Sequence, residues 1–133
     1  MRVATSWSTS VTLPESPHPS VAIEAALRYD SALPHAVRLA FPPMADRPEQ
    51  EWVFGRDLLD EGRHRPAGEG DVTVAPGAHD DILLTLRGIG SRAVIRLPAD
   101  VVTAFLRDSF ALVPAGREHE HLDLDDLLDR LLR

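Results

Sequence analysis

"HRPAGEGDV", residues 64–72, places two glycines and a proline between a short segment of helical period and an alternating one. A phosphate cradle would need backbone N–H groups freed by glycine, a cation, and usually a helix N-terminus behind the loop. Here Gly68 and Gly70 flank Glu69, Asp71 follows, and Val72, Val74 and Pro76 continue as strand. The two carboxylates would repel a phosphate. His64 and Arg65 precede Pro66, which favours an extended approach to a turn. The stretch therefore reads as a turn, and the segments on its two sides define the organisation of the chain.

Upstream, Val3 to Leu13 alternates Val3, Thr5, Trp7, Thr9, Val11 and Leu13 against small polar residues, the period of a strand. "PESPHP" (14–19) breaks it. Val21, Ile23, Ala25, Leu27 and Tyr29 give a second strand ending at "DSALP", and Val37, Leu39 and Phe41 a third. After the loop "PPMADRPEQ" (42–50), Glu51 to Phe54 read as a fourth. In "GRDLLDEG" (55–62) the period changes: Leu58 and Leu59 are adjacent among acids, and Gly62 stands where a helix ends.

Downstream, Asp71–Ala75, Ile82–Arg87 and Arg92–Leu97 are three more strands, the last two joined by the hairpin signal "GIGS" (88–91). From Pro98 the pattern is helical, with Val101, Val102, Phe105, Leu106 and Leu112 on one stripe, and "VPAGRE" (113–118) ends it. A terminal helix is expected beyond, with Asp123 as cap, Asp126 as its reciprocal acid, and Leu122 stapled onto Leu127. Strands grouped before helices, twice over, predict an α+β fold with antiparallel sheets. "WVFGRDLLDEG" and "VIRLPADVVTAF" echo each other, each passing from strand into an acid-led helix.

At 133 residues one domain, spanning 1–133, is expected. No apolar run approaches the roughly 20 residues of a membrane-spanning helix, and the N-terminus is too polar for a signal peptide. A cytoplasmic location without membrane insertion is the simplest reading. There are no cysteines, so disulfides and thiolate metal sites are excluded. All 14 basic residues are arginine. Arginine suits ion pairs and interfaces, although a biased genome produces the same usage. The net charge of -7 opposes non-specific attraction to nucleic acid or to an acidic membrane.

Candidate chemistry is thin. "REHEHLDLDD" (117–126) offers His119, His121 and Asp123 to a metal, but the zincin spacing is absent and helix capping accounts for two of the aspartates. His79-Asp80-Asp81 reads as a polar hairpin tip. No Gly-x-Ser-x-Gly elbow is present, and the carboxylates Glu51, Asp57, Asp60 and Glu61 read as solvated. Trp7, Tyr29, Trp52 and Phe54 fall in strands, where aromatics serve a core or an interface more often than a base platform. No enzyme, cofactor or metal is expected.

Taken together, "LRYDSALPHAVRLAF" (27–41), "EWVFGRDLLDEGRHRPAGEGDVTVAP" (51–76) and "EHEHLDLDDLLDRLL" (118–132) resemble the SsgA-like proteins, sporulation and cell-division regulators of filamentous actinomycetes. The look is closest to the FtsZ-recruiting branch. The resemblance implies a non-enzymatic, septum-associated protein that recruits or stabilises FtsZ rings through protein–protein contacts with FtsZ and paralogous SsgA-like proteins. It implies two antiparallel sheets with helices, similar to whirly-type single-strand binders, and a homo-oligomer, a trimer. Loop 64–72 then becomes a connection between two halves. Trp7, Trp52, Arg56, Asp57, His64, Arg65 and Asp71 are the candidate partner contacts, while Leu58 and Leu59 read as core. The alternative, a single-stranded nucleic-acid-binding module, follows from the implied fold by analogy.

Overall fold

The computed structural model describes residues 2–43 and 46–121. The first sheet runs β1 (Ala4–Val11), β2 (Ile23–Asp30), β3 (Ala36–Phe41) and β4 (Gln50–Gly55) in sequence order. Helix α1 (Arg56–Gly62) follows β4 directly. The second sheet is β5 (Val72–Pro76), β6 (Asp81–Gly88) and β7 (Ser91–Pro98), and β7 leads into helix α2 (Ala99–Leu112). A 3₁₀ turn spans Glu118–His121. All strand pairs are antiparallel. The expected α+β architecture is present. The terminal helix expected from Asp123 onward lies outside the described residues.

Alternation decides which side of each strand is buried. In the first sheet the register places Trp7 opposite Leu27, Leu27 opposite Leu39, and Leu39 opposite Trp52, so one inward row crosses all four strands. Leu27 and Leu39 at its centre are fully buried. The serines Ser6, Ser8 and Ser10 of β1 face outward and are exposed. In the second sheet Val74, Leu84 and Ile95 share one inward face, as do Ile82 and Leu97. Val102, Phe105 and Leu106 of α2 complete the core.

The sheets meet where β1 runs out. Beyond Val11, Thr12 pairs with Arg96 of β7 through two backbone hydrogen bonds of 3.2 and 2.9 Å. The strand read from Val3 to Leu13 is thus divided: its body belongs to the first sheet, and its end is handed to the second. On the far side, α1 packs on β5. A Cβ added at Gly62 would stand 2.3 Å from Val74 Cγ1, so the glycine is a contact surface as well as a helix end.

The opening loop is a turn. Ala67 and Val74 exchange backbone hydrogen bonds of 2.8 and 2.9 Å, and Gly68 and Gly70 hold φ near +100°. These left-handed conformations, which side-chain-bearing residues rarely adopt, reverse the chain between α1 and β5.

Gly62→Ala tests the contact between the helix and β5. Overpacking a well-packed core costs about 1–3 kcal/mol. The variant is expected to fold with a lowered midpoint in urea and an unchanged slope; an unchanged midpoint would mean that α1 is loosely seated.

Candidate interaction surface and a buried arginine

Arg56 opens α1 at the point where β4 ends, and its side chain points into the protein rather than into solvent, with 1% of the residue exposed. A buried guanidinium must have its donors met. Nη1 donates to the carbonyl oxygens of Ser109 (3.0 Å) and Val113 (2.8 Å), and Nη2 donates to Glu118 Oε1 at 3.0 Å. The planar group also lies over the rings of Phe110 and Tyr29, 4.1 and 4.8 Å from their centroids. Cation–π contact of this kind strengthens where water is excluded.

The position of the two carbonyls gives Arg56 its role. They lie at the C-terminal end of α2, where the helix dipole is negative, and Ser109 O also accepts from Val113 N at 3.0 Å. Arg56 therefore caps a helix 53 residues further along the chain and anchors the segment after it through Glu118, itself 6% exposed. As a candidate partner contact Arg56 is corrected by its burial: it holds the fold together and has no surface to offer.

The other candidates divide in two. Trp7 and Trp52 are half-buried at opposite edges of the inward row, and Trp7 Nε1 donates to Asp108 Oδ2 of α2 at 2.8 Å. Both pack against the core. Asp57, His64, Arg65 and Asp71 are exposed along α1 and the turn after it. Arg65 pairs with Glu61 at 3.6 Å, and the Asp71 carbonyl accepts from Arg87 N of β6 at 2.8 Å. Leu59 is fully buried, and Leu58 packs partly buried against the core.

His119 is exposed and His121 half-exposed, and among the described residues no group of three or more His, Asp or Glu side chains has metal-binding geometry. Asp123 lies outside the described residues. At the tip between β5 and β6, Asp80 takes a positive φ of 54°, while Asp81 turns inward to meet Arg96 at 2.7 Å.

Sequence reasoning missed Glu118. It stands among His119, Glu120 and His121 in a stretch that looks uniformly solvated, yet its carboxylate is the acid to which Arg56 is paired. Its pKa is held below the ordinary value by hydrogen bonding, first from its own backbone N–H and then from Arg56, against the opposing effect of burial. Asp30 is lowered as well, chiefly by its hydrogen bond from Arg2. Burial pushes the Tyr29 phenol up; its hydroxyl donates to the Pro34 carbonyl at 3.0 Å.

Residues 23–118 match the family model described as "Streptomyces sporulation and cell division protein, SsgA". The chain is 40% identical over 135 residues to the sporulation-specific cell division protein SsgB of Streptomyces coelicolor, an alignment covering 99% of this chain and 98% of that protein. It is likewise 40% identical over 119 residues to SsgB of Kineococcus radiotolerans, covering 86% and 71% of the two chains. Among solved structures, an SsgB from work on longitudinal division during S. coelicolor sporulation superposes with a TM-score of 0.83 at 38% identity, covering 92% of this chain and 98% of that one. The SsgA-like sporulation-specific cell division protein of Thermobifida fusca gives 0.82 at 29% identity, covering 96% and 95%.

Two variants test the arginine cap. Removing one member of a buried pair costs about 3–5 kcal/mol, because the other charge is left unpaired. Arg56→Leu is therefore expected to be destabilised on that scale in urea unfolding, and wild-type stability would refute the cap. Glu118 and Asp30 have folded pKa values below their unfolded ones, so their stabilisation is complete above the unfolded values and lost as pH falls through the folded ones. The wild-type melting temperature should drop between roughly pH 5 and pH 3, and Glu118→Gln should drop less steeply across that window. Parallel profiles would remove Glu118 from the linkage.

Proposed function

The chain belongs to the SsgA family of sporulation and cell division proteins, and from that premise we propose that it acts without catalysis, recruiting or stabilising FtsZ rings at the septum. Its relatives support a role in the cell division that accompanies sporulation. The observation that supports this reading is the 40% identity to S. coelicolor SsgB, sustained over 99% of this chain and 98% of that protein.

The physical requirement is a surface of standard size, roughly 800 Å² per partner, with a few anchoring side chains at its centre. Exposed Asp57, His64, Arg65 and Asp71, which follow one another along α1 and the turn, are the proposed contacts. Arg56 supports them from beneath, because the same residue that caps α2 fixes the start of α1. Trp7 and Trp52 hold the sheet that carries α1. Contacts with paralogous SsgA-like proteins and assembly into a homo-oligomer belong to the same proposal.

Co-sedimentation with polymerised FtsZ is the direct test. Wild-type protein is expected in the pellet with FtsZ and in the supernatant without it. Arg65→Glu combined with Asp71→Arg, two exposed changes that leave the fold intact, should reduce the pelleted fraction several-fold. Equal partitioning of the wild type with and without FtsZ polymers would overturn the reading.

A further inference from the structure

Ile89 is the most exposed large apolar side chain among the described residues, at 107% of its reference exposure, whereas Val21, Leu33 and Val53 lie between 51% and 56%. It stands at the apex of the β6–β7 hairpin, where Ile89 and Gly90 form the turn between paired Gly88 and Ser91. Gly90 takes the positive φ of 71°, so Ile89 itself carries no backbone strain. A lone exposed isoleucine needs no explanation in general. Three features of its surroundings set this one apart.

The first is the bare stem. Glycine on each side leaves Ile89 without adjoining side chains in sequence; among the described residues nothing beyond its chain neighbours comes within 4 Å of a Cβ placed on Gly90, and the Ser91 hydroxyl alone stands close to one placed on Gly88, at 3.0 Å. A partner could close around the side chain down to the backbone. The second is rigidity. The hairpin is paired without interruption from Asp81↔Pro98 to Gly88↔Ser91, so docking its tip immobilises little that is free beforehand. The third is charge. Arg87 and Arg92 face one another directly behind the tip; Arg92 pairs with Glu15 at 2.5 Å, whereas Arg87 forms no ion pair among the described residues. The tip also adjoins the proposed surface, because Arg87 N donates to the Asp71 carbonyl.

We propose that the β6–β7 hairpin tip is a docking element, with Ile89 entering a concave apolar socket on the division partner and Arg87 meeting a carboxylate at its rim. This rests on the reading under Proposed function and names the part of the surface that anchors the contact. A partner protein fits better than an anionic membrane. Arg92 is offset by Glu15, and the whole chain carries -7, so the tip offers an anionic bilayer little net attraction. A single apolar side chain inserts too little surface to anchor a protein there.

The experiment repeats FtsZ co-sedimentation with Ile89→Ser, Ile89→Leu and Arg87→Glu. Both positions are exposed, so melting temperatures should match the wild type. Burying an isoleucine changes affinity roughly ten- to hundredfold. Ile89→Ser should weaken binding on that scale, Ile89→Leu should retain it, and Arg87→Glu should weaken it and flatten its dependence on salt. Wild-type pelleting with an unaffected Ile89→Ser overturns the docking element while leaving the FtsZ reading intact; loss of wild-type pelleting overturns both. Flotation with phosphatidylglycerol vesicles and sedimentation velocity supply the competing outcomes. Retention on vesicles that depends on Ile89, or a change of oligomeric state in Ile89→Ser, assigns the tip to a membrane or to a second copy and overturns the proposal.

Discussion

The fold depends on one buried cation. Arg56 sits where the first sheet ends and α1 begins. From there its guanidinium reaches the end of α2 and the segment leading to Glu118. Without it the Val113 carbonyl would lose its donor, the Ser109 carbonyl would keep only Val113 N, and Glu118 would be a buried anion without a partner. Those groups lie close together in the chain and all far from Arg56. A buried ion pair adds little net stability compared with a well-packed apolar contact. Its effect is that Nη1 and Nη2 of Arg56 find acceptors only when β4, α1 and α2 are arranged in this way, although Nε is left without a partner among the described residues, and this favours one native packing over its alternatives.

Around that constraint the two sheets assemble by different means. Alternation alone builds each sheet, since shifting a strand by one residue would expose the row from Trp7 to Trp52. Joining the sheets requires β1 to leave its own partner and pair Thr12 with Arg96, and requires α1 to sit on β5 closely enough that position 62 has no room for a methyl group. The turn at residues 64–72 makes the second junction possible. Its glycines reverse the chain within a few residues, so α1 and β5 remain neighbours.

What could be read from the sequence follows from how local each cause is. The strands show because alternation is a property of consecutive residues, and β1 shows even with serine on its outer face. The hairpin at Gly88–Ser91 shows because positive φ demands glycine at a fixed place. The burial of Arg56 does not show. A charged residue at the start of an acidic helix looks solvated, and the partners that make it a core residue lie 53, 57 and 62 positions away. Glu118 is hidden for the same reason, since its neighbours in sequence are exposed.

This explains why the most distinctive block of sequence is a poor guide to the partner surface. Between Trp52 and Asp71 the chain must supply a helix start that buries arginine, a leucine that fills the core, a glycine that admits Val74, and a turn with two left-handed residues. Each requirement is met by a specific residue type, and each is satisfied inside the molecule. Recognition has opposite needs: side chains that the fold leaves unused, held on a rigid support. Exposed Asp57, His64, Arg65 and Asp71 meet the first condition on a short helix and turn. Ile89 meets both, because the fold needs only a turn at that hairpin and has no use for an isoleucine at its apex.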